Sequence, residues 1–94
     1  MDRRELLEKL RALKPWLEEQ GVIDLRLFGS FARDEARKDS DVDLLCRTTR
    51  RIGLEFFGIE AEIADRVGRR VELVEDEELR PFAMKTALRD LIHV

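Results

Sequence analysis

The stretch that decides the fold is Leu27 to Leu45, which reads LFGSFARDEARKDSDVDLL. A hydrophobic run ends at Gly29-Ser30, and Asp41-Val42-Asp43 opens the next hydrophobic run after a gap of ten residues. Small residues that let a ligand approach the backbone therefore stand at one end of the stretch. Two alternating carboxylates stand at the other end, so the stretch combines a candidate phosphate cradle with candidate metal ligands.

A helix is predicted on the N-terminal side of this stretch. Asp2 and Glu5 have the spacing of a capping box. Leucines then recur every three or four residues on one helical face, at Leu6, Leu10, Leu13 and Leu17. Pro15 removes a backbone hydrogen bond, so we expect the helix to be kinked or restarted there. Gly21 suits its end.

The rest of the chain alternates between predicted strands and helices. The predicted elements are a strand at 22–28, a helix at 30–37, a strand at 41–47, a helix at 54–67, a strand at 69–74, a helix at 75–89 and a strand at 91–94. In the first strand Ile23, Leu25 and Leu27 are expected to face opposite to Asp24 and Arg26. In the helix at 54–67 the predicted apolar positions are Leu54, Phe57, Ile59, Ile63 and Val67, and Gly68 is expected to end the helix.

This order of elements predicts an α/β (α+β) fold. The connection between the first two strands is short, so a purely parallel sheet is not expected. We predict a small mixed β-sheet with helices packed on one side, in a single domain that spans residues 1–94.

Composition excludes several classes of protein. The net charge of −3 argues against a general nucleic-acid binder, although 14 of the 18 basic residues are Arg. The single cysteine, Cys46, excludes an internal disulfide and fits a reducing compartment. No apolar run approaches the ~18 residues that cross a bilayer, and the charged start at Asp2 does not fit a signal peptide. We therefore expect a cytoplasmic protein without a membrane segment.

The carboxylates of the central stretch predict a metal site. Residues two apart in a strand project from the same face, about 6–7 Å apart, so Asp41 and Asp43 are expected to lie together. Two such carboxylates would repel each other without a cation. Mg²⁺ suits them because it takes a few protein oxygens and completes its shell with water and phosphate. Glu72, in the predicted third strand, is the best candidate for a third carboxylate, and a plain exposed strand residue is the alternative.

The other end of the stretch predicts a nucleotide-phosphate site. Gly29 allows close approach of a ligand to the backbone, and Ser30 adds a hydroxyl at the start of a predicted helix whose free N–H groups favour anions. Arg33 is a candidate to neutralise nucleotide phosphate, as are Arg37 and Lys38. The alternative for each of these cations is a solvated helix residue. Together the two ends predict metal-assisted transfer of a nucleotidyl group.

These motifs resemble a known superfamily. The pattern Gly29-Ser30, ten residues, then Asp41-Val42-Asp43 resembles the signature of the DNA polymerase beta-like nucleotidyltransferases. Phe31-Ala32-Arg33 and Asp39-Ser40 are similar to its small prokaryotic branch, the minimal nucleotidyltransferases (MNT). The resemblance implies the nucleotidyltransferase fold, Mg²⁺ on Asp41, Asp43 and Glu72, and nucleotide phosphates at Gly29 and Ser30.

The chain departs from that pattern at two positions. The family commonly has Gly after the Ala-Arg pair, where this chain has Asp34. A Gly there often supplies a turn, so the loop is expected to be shaped differently. The third acidic position is often Asp, and here Glu72 has a longer reach.

The resemblance also implies a function and a partner. MNT proteins are often antitoxins that transfer AMP from ATP to a tyrosine of a helical HEPN-type toxin. Two alternatives stay open. One is an antitoxin that neutralises its toxin by binding without catalysis. The other is transfer to a small molecule, against which the expected lack of a substrate domain counts. The nucleotide, the acceptor and any self-association are left open by the sequence.

Overall fold

The computed structural model of the chain describes residues 1–76 and 90–94. Its elements are α1 (Arg3–Glu19), β1 (Val22–Phe28), α2 (Gly29–Ala32), β2 (Val42–Thr48), α3 (Glu55–Val67), β3 (Val71–Glu75) and β4 (Ile92–His93). Beyond Asp76, the helix predicted at 75–89 lies outside the described residues. Among the described residues, no helix combines the length and apolar character needed to cross a membrane.

The four described strands form one mixed sheet in the order β3-β2-β1-β4. β1 runs antiparallel to both β2 and β4, whereas β2 and β3 are parallel. Parallel neighbours need a crossover connection, and α3 provides it between β2 and β3. The predicted mixed sheet and α/β class are therefore confirmed.

The first helix is continuous through Pro15. The N–H of Glu5 donates to Asp2 Oδ1 at 2.8 Å, and α1 runs from Arg3 to Glu19 with Pro15 inside it. Of the two expected outcomes, a kink or a restart, the restart at Pro15 is therefore wrong. An interior proline costs ~3 kcal/mol, but each buried leucine contributes about 1.5–3 kcal/mol. The four leucines of the predicted face are all buried, which keeps both halves of the helix against the core: Leu6, Leu10, Leu13 and Leu17.

The main core lies between the two long helices and one face of the sheet. α1 and α3 contact each other, and their buried residues belong to one cluster with alternate residues of β1, β2 and β3. Val42, Leu44 and Cys46 of β2 all face this cluster, as period-two alternation requires. In the described part of the chain, α1 and α3 thus share one side of the sheet.

The regular alternation predicted for β1 is broken by a bulge. The register with β2 shifts between Ile23 and Arg26, and Asp24 has a φ of 52°. Leu25, Arg26 and Leu27 are buried in succession. Arg26 still faces opposite to Leu25 and Leu27, as predicted, because its register partner is Leu45, which lies outside the core cluster that contains both leucines. Ile23 is half-buried and lies outside that cluster, so the prediction that it shares the face of Leu25 and Leu27 is wrong. The Arg26 guanidinium is held by an ion pair to Asp76, and its Nε donates to the Asp24 carbonyl at 2.9 Å. A bulge inserts an extra residue and re-aims the side chains that follow it.

Two helices differ from their predicted extents. α2 ends at Ala32 rather than at residue 37, because Asp34 takes a left-handed φ of 59° that stops the helix. α3 begins at Glu55, and Leu54 and Phe57 are 85% and 67% exposed rather than part of the apolar face. The core-facing positions are Ile59, Ile63 and Val67, and Gly68 ends the helix with a φ of 74° as expected.

Candidate active site

Strand pairing brings the two ends of the central stretch together. β1 leads directly into Gly29, and its last residue, Phe28, is the register partner of Asp43 on the antiparallel strand β2. The Gly29-Ser30 turn therefore lies beside the carboxylate of Asp43, although the two are far apart in sequence. The candidate phosphate cradle and a candidate metal ligand share one end of the sheet.

The contact between Gly29 and Asp43 explains why this position must be glycine. Gly29 has a φ of 76°, in the left-handed region. A Cβ built on it would overlap Asp43 Oδ2 and lie 3.1 Å from Asp43 Cγ. Any side chain here would displace the Asp43 carboxylate. The group that approaches the Gly29 backbone closely in this structure is thus the carboxylate of Asp43.

Glu72 lies next to Asp43 on the neighbouring strand. β2 and β3 are parallel, and Asp43 pairs in register with Glu72. Neighbouring strands lie ~4.8 Å apart, and register partners project from the same face. Glu72 is exposed. Exposure fits both a third carboxylate of the site and a plain exposed strand residue. The register with Asp43 is the feature that favours a third carboxylate over an isolated surface residue.

The electrostatics of Asp43 reflect this crowding. The pKa of Asp43 is raised above its ordinary value by burial and then by the negative charges of Glu72 and Asp41. The positive charge of Arg33 acts in the opposite direction. Three carboxylates and one guanidinium are therefore close enough to influence one another. The excess of negative charge would be relieved by a bound cation.

The carboxylates do not converge on a single point as they are placed. Asp41 Oδ1 lies 3.6 Å from Arg70 Nε. Asp41 directly precedes the first residue of β2, Val42. Across residues 1–76 and 90–94, no group of three or more His, Cys, Asp or Glu side chains is arranged to hold a metal ion. Mg²⁺ needs only one or two protein carboxylates when substrate phosphates complete its shell. The oxygen donors of Asp41 and Asp43 fit that requirement.

The candidate phosphate-binding groups lie on the same side. Arg33 Nε lies 3.1 Å from Glu35, and its Nη1 lies 4.0 Å from Asp90. Arg33 is thus paired with an exposed and a half-buried carboxylate, while its charge still acts on Asp43. Because α2 is a single turn, it largely lacks the dipole of a longer helix. The free N–H groups of the turn are therefore its main groups for binding phosphate.

The departure at Asp34 does not remove the turn that a glycine would supply. Asp34 has a φ of 59°, which glycine adopts freely and Asp tolerates better than most residues. The loop therefore keeps a left-handed residue at this position. Further along the chain, an open recess of about 600 Å³ is lined by Ser40, Asp41 and basic side chains that include Lys38 and Arg70.

Sequence reasoning missed two basic residues of this region. Arg70 was placed only in a predicted strand, yet it pairs with Asp41. Arg26 is predicted only to face opposite to Leu25 and Leu27, yet it is 6% exposed and paired with Asp76. No local pattern marks either contact, since the partners lie 29 and 50 positions away in the chain.

Comparison with known proteins identifies the family. The profile of the nucleotidyltransferase domain family matches residues 3–94. The chain is 37% identical over 92 residues to the protein adenylyltransferase MntA of Thermococcus cleftensis, covering 96% of this chain and 93% of that protein. The chain therefore belongs to the nucleotidyltransferase domain family and is a nucleotidyltransferase.

Solved structures agree with this assignment. A structure of a candidate minimal nucleotidyltransferase superimposes with a TM-score of 0.86 at 33% identity, covering 100% of this chain and 97% of that one. A crystal structure of a toxin–antitoxin with AMP-PNP superimposes with a TM-score of 0.67 at 15% identity, covering 99% and 72% of the two chains. The first places the chain among the minimal nucleotidyltransferases, and the second shows a shared fold.

Proposed function

We propose that this chain is an antitoxin that transfers AMP from ATP to a tyrosine hydroxyl of a HEPN-type toxin, with Mg²⁺ as cofactor. The observation that carries the proposal is the position of Asp43, which contacts Gly29 on one side and pairs in register with Glu72 on the other. The 37% identical relative named as a protein adenylyltransferase supports a protein acceptor. The toxin–antitoxin with AMP-PNP supports a toxin partner and an adenine nucleotide.

The arrangement assigns a role to each residue. The N–H groups of the Gly29-Ser30 turn would receive nucleotide phosphate, and Arg33 would neutralise part of its charge. Asp41 and Asp43 would hold Mg²⁺, which supplies charge neutralisation for the phosphates and the pyrophosphate leaving group. Glu72 would accept the proton of the tyrosine hydroxyl as its oxygen attacks the α-phosphorus. The bond from that phosphorus to pyrophosphate breaks in the same displacement.

A second function is favoured by the placement of the carboxylates. They do not converge in the described residues, and Asp41 is paired with Arg70. An antitoxin that neutralises its toxin by binding alone would need no convergence. The same carboxylates separate the two functions, because only transfer depends on them.

The test is co-expression of the chain with the product of the neighbouring gene, followed by incubation with ATP and Mg²⁺ and intact-mass measurement of both chains. We expect the partner to gain one AMP. Asp41→Asn together with Asp43→Asn should abolish the gain. Asp39→Asn is the matched control, because Asp39 is an exposed acid of the same loop.

Three results would contradict the proposal. Neutralisation of the partner that survives Asp41→Asn/Asp43→Asn undiminished would support the binding-only function. AMP found on a small hydroxyl compound but on neither protein would support the small-molecule alternative. No mass gain with any nucleotide would remove the transferase activity on this partner.

A further inference from the structure

The guanidinium of Arg69 is attached to the loop that precedes the paired aspartates. Arg69 Nη1 lies 2.9 Å from the carbonyl oxygen of Ser40 and 3.0 Å from that of Lys38, with the Arg37 carbonyl at 3.4 Å. Its guanidinium carbon also lies 5.1 Å from the ring centroid of Phe31, a residue of α2 that is 1% exposed. One side chain thus touches both the loop and the α2 turn.

These contacts stand at the entry to the paired strands. Gly68 ends α3 in a left-handed conformation, and Arg69 follows it directly. The N–H of Val42 donates to the Arg70 carbonyl at 2.9 Å, which is the first bond between the two strands. One step further, Val42 pairs with Val71, and Asp43 then pairs with Glu72. The side-chain bonds of Arg69 therefore extend the pairing of the two strands backward into the loop.

We propose that Arg69 is a positioning residue for the nucleotidyl transfer, because it holds the loop at residues 38–40 and thereby fixes the positions of Asp41, which follows the loop, and of Asp43, the register partner of Glu72. This inference rests on the proposed function for its catalytic consequence, but the contacts by which Arg69 holds the loop do not depend on that function. Loop carbonyls have no sheet partner, and a guanidinium can donate to several of them at once while its face covers an aromatic ring. A lysine ammonium carries the charge without the planar fork.

The neighbouring arginines do not have this arrangement. Arg66 forms an ion pair with Glu62, four residues away on the same exposed helix surface, and its side chain is 61% exposed. Arg70 is 84% exposed and contacts the tip of Asp41. The hydrogen bonds of the Arg69 guanidinium in the described part of the chain instead go to main-chain oxygens 29 to 32 positions away. A surface arginine serving solubility would not need such partners.

The test compares Arg69→Lys and Arg69→Gln with Arg66→Lys, the matched control. Amide hydrogen exchange at Ser40 and Val42, whose N–H groups bond to Arg37 and Arg70, reports on the loop without any activity. We expect roughly tenfold or faster exchange there in both Arg69 variants, with α1 protected as in the wild type. In the transfer assay we expect kcat to fall by about 10- to 100-fold while KM for the partner is unchanged. The Mg²⁺ concentration for half-maximal rate should rise.

The outcomes separate the two claims. Wild-type exchange at Ser40 and Val42 in the Arg69 variants, or wild-type kcat, would overturn the positioning role. A uniform rise in exchange over the whole chain would also overturn it, because Arg69 would then act only on global stability. A wild-type protein that transfers nothing would refute the proposed function. Faster amide exchange confined to Ser40 and Val42 in the Arg69 variants would still show that Arg69 holds the loop.

Discussion

At the scale of single residues, Asp43 is the residue through which the parts of the candidate site are connected. Its carboxylate contacts Gly29, is in register with Glu72 and has a raised pKa because of burial and nearby negative charge. A folded chain gains little by crowding carboxylates in this way, since the repulsion costs stability. Functional sites commonly retain such costs, and a bound cation would remove this one.

Replacing Gly29 with Ala tests the contact with Asp43. The new Cβ would overlap the Asp43 carboxylate at a backbone φ of 76°, so we expect the free energy of unfolding to fall by about 1–3 kcal/mol. Nucleotidyl transfer should fall at least as much as in Asp43→Asn. Urea unfolding and the mass-based transfer assay measure the two effects.

Gly58→Ala is the control for Gly29→Ala. Gly58 lies within α3, and a Cβ there meets nothing within 4 Å. Alanine is a better helix former than glycine, so stability should rise by ~0.5–1 kcal/mol with no loss of transfer. Equal behaviour of the two variants would show that Gly29 has no special contact.

The raised pKa of Asp43 predicts the pH dependence of stability. An acid with a higher pKa in the folded state binds more protons when folded. Its contribution to the free energy of unfolding therefore falls as pH rises from its ordinary value of 3.8 through the raised pKa, and stays level above it. In EDTA, Asp43→Asn should gain stability relative to the wild type over that interval and keep the gain at neutral pH. Urea unfolding between pH 4 and pH 8 measures the difference.

The control for this pH profile is Asp39→Asn, which removes an exposed acid of the same loop. It should follow the wild-type profile at every pH. A metal-free Asp43→Asn protein that is less stable than the wild type at neutral pH would show that the Asp43 carboxylate makes favourable contacts outweighing the repulsion.

At the scale of secondary-structure elements, the sequence predicted which helices and strands exist better than it predicted where each of them begins and ends. The apolar face of α1, the capping at Asp2 and the glycine stop at Gly68 follow from local rules, and the structure shows them. α2 is shorter than predicted because a single left-handed residue, Asp34, ends it. β1 departs from a simple alternation of inward and outward side chains because of a bulge at Asp24. No local sequence pattern predicts this bulge.

The apolar face of α3 offers a test of which residues belong to the core. Ile63 is fully buried, so Ile63→Ala should lower the free energy of unfolding by about 2–5 kcal/mol. Phe57 is 67% exposed, so Phe57→Ala should change it by no more than ~0.5 kcal/mol. Urea unfolding of both variants decides, and a large loss in Phe57→Ala would restore the prediction that Phe57 packs in the core.

At the scale of the whole molecule, a chain of 94 residues has a small core, and ligand binding should therefore contribute visibly to stability. At a Mg²⁺–ATP concentration about 100 times the dissociation constant, binding adds ~2.7 kcal/mol. For a domain of this size, that shift corresponds to a rise in Tm of roughly 10–20 °C. Thermal unfolding with and without Mg²⁺–ATP measures it.

Two controls accompany this measurement. EDTA should reduce the rise in Tm that ATP produces, and Asp41→Asn/Asp43→Asn should abolish the Mg²⁺-dependent part. A nucleotide-induced rise that is unaffected by both would show that these carboxylates do not hold the metal.

The sequence by itself determined the class of the molecule. The helical periodicity and the strand alternation depend on neighbours within a few positions, and the spacing from Gly29-Ser30 to Asp41-x-Asp43 lies within one short stretch of the sequence. Such patterns can be recognised in one chain. They were sufficient for an α/β fold with a mixed sheet and for nucleotidyltransferase chemistry.

The tertiary structure alone decided which of these residues meet. The contact of Gly29 with Asp43, the register of Glu72, the attachment of Arg69 to the loop and the burial of Arg26 all join distant positions. Each depends on strand register, and a shift of one residue moves every side chain to the other face. Register is set by the packing of the whole sheet and by the bulge at Asp24. It therefore cannot be predicted from local pattern, and it determines the arrangement of the candidate site.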